Sequence, residues 1–184
     1  MDRIPDKAKE VLDFWAIETT PEQWFRKDDA FDAAVRARFG ALHAQAAAGG
    51  LDDWARTAQG CLALIIVLDQ FPRNLYRGDP RSFATDGAAR QVLARALERG
   101  FDKTMTARER QFLYLPLQHS ENVEDQALSV RLNADLGEAE VLKYARAHKA
   151  IVDRFGRFPH RNAVLGRENT PEEAEFLTQP GSSF

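Results

Sequence analysis

The nine residues from Arg154 to Asn162, RFGRFPHRN, set three arginines, a histidine and an asparagine beside two phenylalanines. A guanidinium presents a rigid fork of donors and keeps its charge, so arginines held among aromatic rings require carboxylates, carbonyls or a bound anion. Arg73, Arg157 and Arg161 can fork onto a phosphate or carboxylate, with His160 or Asn162 fixing its orientation. Asp69 is expected in the last turn of a helix, where the macrodipole disfavours a negative charge. It needs a cation or donors, and Arg73, Arg157 and Arg161 are candidates.

A second chemistry is proton transfer. His148 or His119 can act as general acid or base against Glu121, because imidazole titrates near neutral pH. No nucleophile is identified: Ser120 beside His119 is adjacency in sequence only, and no Gly-x-Ser-x-Gly elbow is present. The ligand types for a metal exist in His119, Glu121, His148 and Asp69, yet there is no HExxH, no ExxH pair and no cysteine cluster, so no metal site is predicted. No glycine-rich phosphate loop is present, and no cofactor is expected. In a third account the polar residues satisfy one another, with Asp69 and Glu121 neutralising arginines while Asn74 and Asn162 close turns.

These residues must be held by helices. Val11, Leu12, Phe14 and Trp15 form one apolar face of a first helix ending near Thr19. Thr20-Pro21-Glu22-Gln23, Thr106 with Glu109 and Thr170-Pro171-Glu172-Glu173 have capping-box spacing and open three more, the first carrying Trp24 and Phe25. Phe31, Val35, Phe39 and Leu42 recur at helical spacing until Gly49-Gly50. Thr57 to Gln70 is apolar almost all round and long enough to be a buried helix, which Phe71-Pro72 should end. Asp86 can cap a helix that Gly100 closes. Pro116 should kink or end the helix bearing Phe112 and Leu115, placing His119, Ser120 and Glu121 at a break. A further helix runs from about Asn122 to Leu136. Along Glu138 to Phe155, Val141, Tyr144, Ala145, His148, Ile151, Val152 and Phe155 make one stripe, so His148 faces inward. Trp54, between Asp53 and Arg56, is the tryptophan expected to be exposed.

About eight helices and no strand predict an all-α chain folded as one domain over residues 1–184, with 178–184 a frayed tail. With 44% hydrophobic residues, including 12 Phe and 3 Trp, the core is substantial. Against 28 acidic residues stand 25 basic ones, so no global field draws in nucleic acid or an anionic membrane. The longest apolar run, Cys61 to Leu68, falls far below the ~20 residues of a spanning helix. The lone Cys61 and the charged start MDRIPDKAKEVLDFW place the chain in the cytoplasm.

LDQFPRN at 68–74, FLYLPLQHSE at 112–121, HKAIVDRFGRFPHRN at 148–162 and LGRENTPEEAEFL at 165–177 occur in that order. With these four motifs the chain resembles the bacterial domain of unknown function 924 family. The resemblance implies a tetratricopeptide-repeat-like stack of antiparallel helical hairpins, and it implies no activity. Such stacks present concave grooves to peptides, so an acidic peptide stands beside a small anionic ligand as an expected partner. The sequence leaves oligomeric state open.

Overall fold

In the computed structural model, residues 3–184 are described, apart from the Phe25 side chain. The expected role of Phe25 beside Trp24 therefore lies outside the described residues. The architecture is all-α, without a strand among the described residues. Eleven α-helices form there, several only a turn or so long, so the count comes close to the expected eight. No helix is long and apolar enough to cross a membrane among the described residues. Two compact units form: Met1–Arg77 with Arg81–Pro116, and Gly78–Pro80 with Leu117–Phe184.

The first unit contains α1 (Asp6–Asp13), α2 (Pro21–Phe25), α3 (Asp29–Ala47), α4 (Ala58–Ile65), α5 (Phe71–Leu75), α6 (Asp86–Glu98) and α7 (Ala107–Gln118) as far as Pro116. Its core is aromatic: Phe39 stacks on Phe71 at 4.8 Å, Phe14 lies 5.0 Å from Phe39, and Trp24 meets Phe112 edge-on at 4.8 Å. Large rings packed edge-to-face and offset bury more apolar area per residue than aliphatic side chains. All three expected capping boxes form, at Thr20, Thr106 and Thr170.

Phe71-Pro72 does not end the helix as expected. A π-helical turn over Ile66–Gln70 follows α4 and leads directly into α5. Proline has no N–H for the Leu68 carbonyl four residues back, and the Thr85 hydroxyl donates to that carbonyl instead. Pro116 likewise lies inside α7, which continues to Gln118 before the chain turns at His119. Asp86 is the first residue of α6 and not its cap, because its carboxylate is engaged by Arg73.

Trp54 is 6% exposed, which corrects the expectation that it faces solvent. A 3-10 turn, Asp52–Arg56, packs it against α4. The approach depends on Gly60, where an added Cβ would stand 2.0 Å from the Trp54 carbonyl oxygen. Cys61 is fully buried behind this turn, and burial pushes its thiol up to about 11. A thiol reagent at about pH 8 should therefore label it only at the rate of unfolding, and rapid labelling of native protein would contradict this packing.

The second unit is built on α8 (Val123–Ala134) and α9 (Ala139–Phe155), which pack together across the turn at Gly137. The Asn122 side chain caps α8, accepting from the Glu124 and Asp125 amides. Gly156, in the left-handed region at φ 69°, closes α9 where a side chain would be strained. A 3-10 turn (Pro159–Arg161), α10 (Asn162–Leu165) and α11 (Pro171–Phe176) complete it. Ala145, His148, Ile151 and Val152 are buried along α9, whereas Tyr144 is 52% exposed, so the inward stripe is narrower than its sequence period suggests. The segment after Thr178, expected to fray, is laid down in part: Ser182 is buried and the Phe184 ring lies against His148.

Candidate functional site

The predicted site residues divide between the units. In the first, Asp69 is completely buried in the π-helical turn and accepts from the Gln70 amide. Arg73 reaches back to the Asp69 carbonyl, lies 3.7 Å from its carboxylate, and forks onto Asp86 at 3.1 and 3.2 Å. Nearby, Asn74 and Arg77 both donate to buried Asp32, Arg77 through two bonds of 2.8 Å. Asp32 and Asp86 gave no sequence signal as partners, since Asp86 reads as a helix cap and Asp32 as one more acid near a helix start. A shallow cleft of about 260 Å³ in this unit is lined by Arg3, Pro5, Asp53, Trp54, Arg56 and Thr57. Its two arginines rest on Asp6 and Asp53.

In the second unit a clamp forms first. Glu121 receives both terminal nitrogens of Arg167 at 2.8 Å and the Phe158 amide at 2.8 Å. Burial pushes its pKa up, but Arg167 and the Phe158 N–H outweigh that and hold the carboxylate below its usual range. Arg167 also donates to the Phe158 carbonyl and, through Nε, to Asn162. A second acid, Glu173, receives Arg157 through Nε at 2.7 Å and a terminal nitrogen at 2.8 Å, plus the Thr170 amide and the Asn162 side chain. The Arg157 hydrogen bond is the chief cause, against burial, that brings Glu173 down to about 2. Sequence reading assigned Glu173 only its capping-box role. Arg157 was expected near Asp69 but meets Glu173 instead, because that box brings the acid onto the loop.

Both clamp acids have folded-state pKa values below their unfolded ones. Their contribution is therefore present above the unfolded value of about 4.5 and fades as pH falls below it, for Glu173 toward about 2. Thermal melts from about pH 6 down to about pH 3 should show stability dropping below 4.5, with a shallower drop in Arg157→Met, which leaves Glu173 without its cation. Equal slopes in the two proteins would contradict the pairing.

The clamp positions an imidazole cluster. Its hub is the fully buried Phe158 ring, whose backbone N–H and C=O are fixed by Glu121 and Arg167. Around it lie His148 at 5.7 Å, His160 at 5.6 Å and the Arg161 guanidinium at 4.7 Å over its face. His119 lies 6.1 Å from His148. The carbonyls of the last turn of α7 and of the residues just after it are collected here: Arg161 donates to His119 O, and Gln126 to Leu117 O, Gln118 O and Ser120 O. A cation and an amide at a helix C-terminus satisfy its orphan acceptors.

His148 Nδ1 donates to the Tyr144 carbonyl at 2.8 Å, which fixes the proton there and leaves Nε2 an acceptor. Burial, then the positive charges of neighbouring groups, brings His148 down to about 3. Burial and then Arg161 bring His160 down to about 4. Both rings are neutral at physiological pH. His160 Nδ1 is buried and has no hydrogen-bond partner among the described residues. Within the described residues no group of three His, Cys, Asp or Glu is placed to hold a metal ion.

A family model described as bacterial protein of unknown function, DUF924, matches residues 11–181. The chain belongs to this family. One solved structure, of the protein of unknown function ATU0120 from Agrobacterium tumefaciens, is 44% identical to this DUF924 chain with a TM-score of 0.89. The match covers 93% of this chain and 96% of that one. No curated protein matches. The similar solved structure supports the fold, and neither comparison names a chemistry.

Proposed function

We propose that this protein binds a small anionic ligand at the imidazole cluster of its second unit, with Arg161 supplying charge and His160 Nδ1, in the tautomer that carries its proton, a hydrogen bond. The observation that carries the reading is the buried His160 Nδ1 without a protein partner. Leaving such a group unsatisfied costs about 1–3 kcal/mol, so it marks a place where something else completes the bond. Arg157 and Asn162 are positioning residues in this account, since both are committed to the Glu173 clamp. Arg73 and Asp69 stabilise the first unit in the same way.

Two observations favour binding over proton transfer. Glu121 has both oxygens engaged and its pKa lowered, so it is a poor partner acid for His148 or His119. His148, brought to about 3, is also too weak a base to gather a proton near pH 7. A small ligand is favoured over an acidic peptide because Arg154, Arg157 and Arg167, the cations a peptide groove would use, already face Glu172, Glu173 and Glu121.

The test is thermal melting with inorganic phosphate and with simple carboxylates. A ligand at one hundred times its Kd stabilises by about 2.7 kcal/mol, a rise of roughly 5–10 °C for a chain of this size. Arg161→Met should abolish the rise, and Arg154→Met, whose partner Glu172 is exposed, should keep it. Retention of the full rise in Arg161→Met would refute the reading.

A further inference from the structure

The Phe184 ring lies flat on His148, with centroids 3.6 Å apart and planes 18° from parallel, and it stands nearly perpendicular to His160 at 6.2 Å and 77°. His148 and His160 thus form two walls of a slot in which one aromatic ring sits. Phe184 itself is 50% exposed, so the ring is only half committed to the fold. Ser182 Oγ donates to Leu177 O over a long 3.3 Å. A neutral imidazole makes a flat apolar face, and the Nδ1 bond to Tyr144 fixes the plane of His148.

We infer that Phe184 is a tethered, displaceable occupant of a slot for a planar aromatic ring, and that the ligand of this site is an aromatic carboxylate. The inference rests on the anion-binding reading for the carboxylate but has its own basis for the ring. Arg161 lies over the Phe158 ring that both imidazoles border, and His160 carries the nitrogen without a partner among the described residues, so we place the acidic substituent of a ring between the imidazoles toward these groups. When Phe184 fills the slot, the competent fraction of the protein falls and apparent affinity falls with it.

The experiment compares benzoate, cyclohexanecarboxylate and benzamide by calorimetry on the full chain, on Phe184→Ala and on Arg161→Met. Benzoate should bind most tightly, cyclohexanecarboxylate at least about tenfold more weakly, and Phe184→Ala should tighten benzoate by about tenfold. Benzoate and cyclohexanecarboxylate binding alike would overturn the slot and leave the anion site standing. Benzamide matching benzoate, with Arg161→Met without effect, would overturn the carboxylate and leave the ring slot standing. Failure of all three probes to bind Phe184→Ala, confirmed as folded by circular dichroism, would overturn both.

Discussion

Glu121→Leu should lower the melting temperature by about 5–10 °C and disturb a cluster whose rings it does not touch. The carboxylate accepts two bonds from Arg167 and one from the Phe158 amide, and leucine of similar volume leaves all three donors without it. Breaking a buried ion pair costs roughly 3–5 kcal/mol, and about a quarter of each side chain is exposed here, so about 2–3 kcal/mol is expected. For a domain of this size that corresponds to the stated fall in melting temperature. The freed Phe158 backbone should also release its ring, and the imidazole resonances of His148 and His160 should shift. Glu121→Gln keeps one acceptor and should lose about half as much stability. A Glu121→Leu protein melting within about 1 °C of wild type would remove the clamp from the account.

Gly60→Ala should be among the most damaging single substitutions, although the same change elsewhere helps a helix. Replacing an interior helical glycine by alanine ordinarily gains about 1 kcal/mol. Gly40, inside α3, fits that rule, since a Cβ there meets nothing within 4 Å. At Gly60 the added carbon would lie 2.0 Å from the Trp54 carbonyl oxygen and 2.8 Å from the Thr57 hydroxyl that caps α4. Backbone cannot rotate aside as a side chain can, so the 3-10 turn and α4 must separate, exposing Trp54. The expected loss is about 3 kcal/mol or more, against a gain of up to about 1 kcal/mol for Gly40→Ala. Urea melts of both variants measure the pair, and a Gly60→Ala midpoint equal to wild type would contradict the packing.

Much of the fold was legible because helix signals are local. The boxes at Thr20, Thr106 and Thr170 and the inward place of His148 follow from spacing alone. What failed depended on long-range partners. Phe71-Pro72 reads as a stop until Thr85 is known to serve the Leu68 carbonyl. Trp54 reads as a surface residue until Gly60 lets its turn approach. At the site, residue types announced that arginines needed carboxylates, yet sequence could not say which. Arg157 goes to Glu173 and Arg167 to Glu121 because α11 and the turn after α7 deliver those acids to the loop. Phe184 was invisible as a site residue, since an aromatic outside any helix carries no periodicity.

Measuring imidazole nitrogen shifts across a pH titration tests the central claim, that the Glu121 and Glu173 clamps hold His148 and His160 in a setting that keeps both neutral. Both His148 and His160 should remain uncharged from about pH 8 down to about pH 5, with His148 keeping its proton on Nδ1. Titration of either ring near its ordinary 6.5 would mean water reaches the cluster freely, and the site as described would not exist.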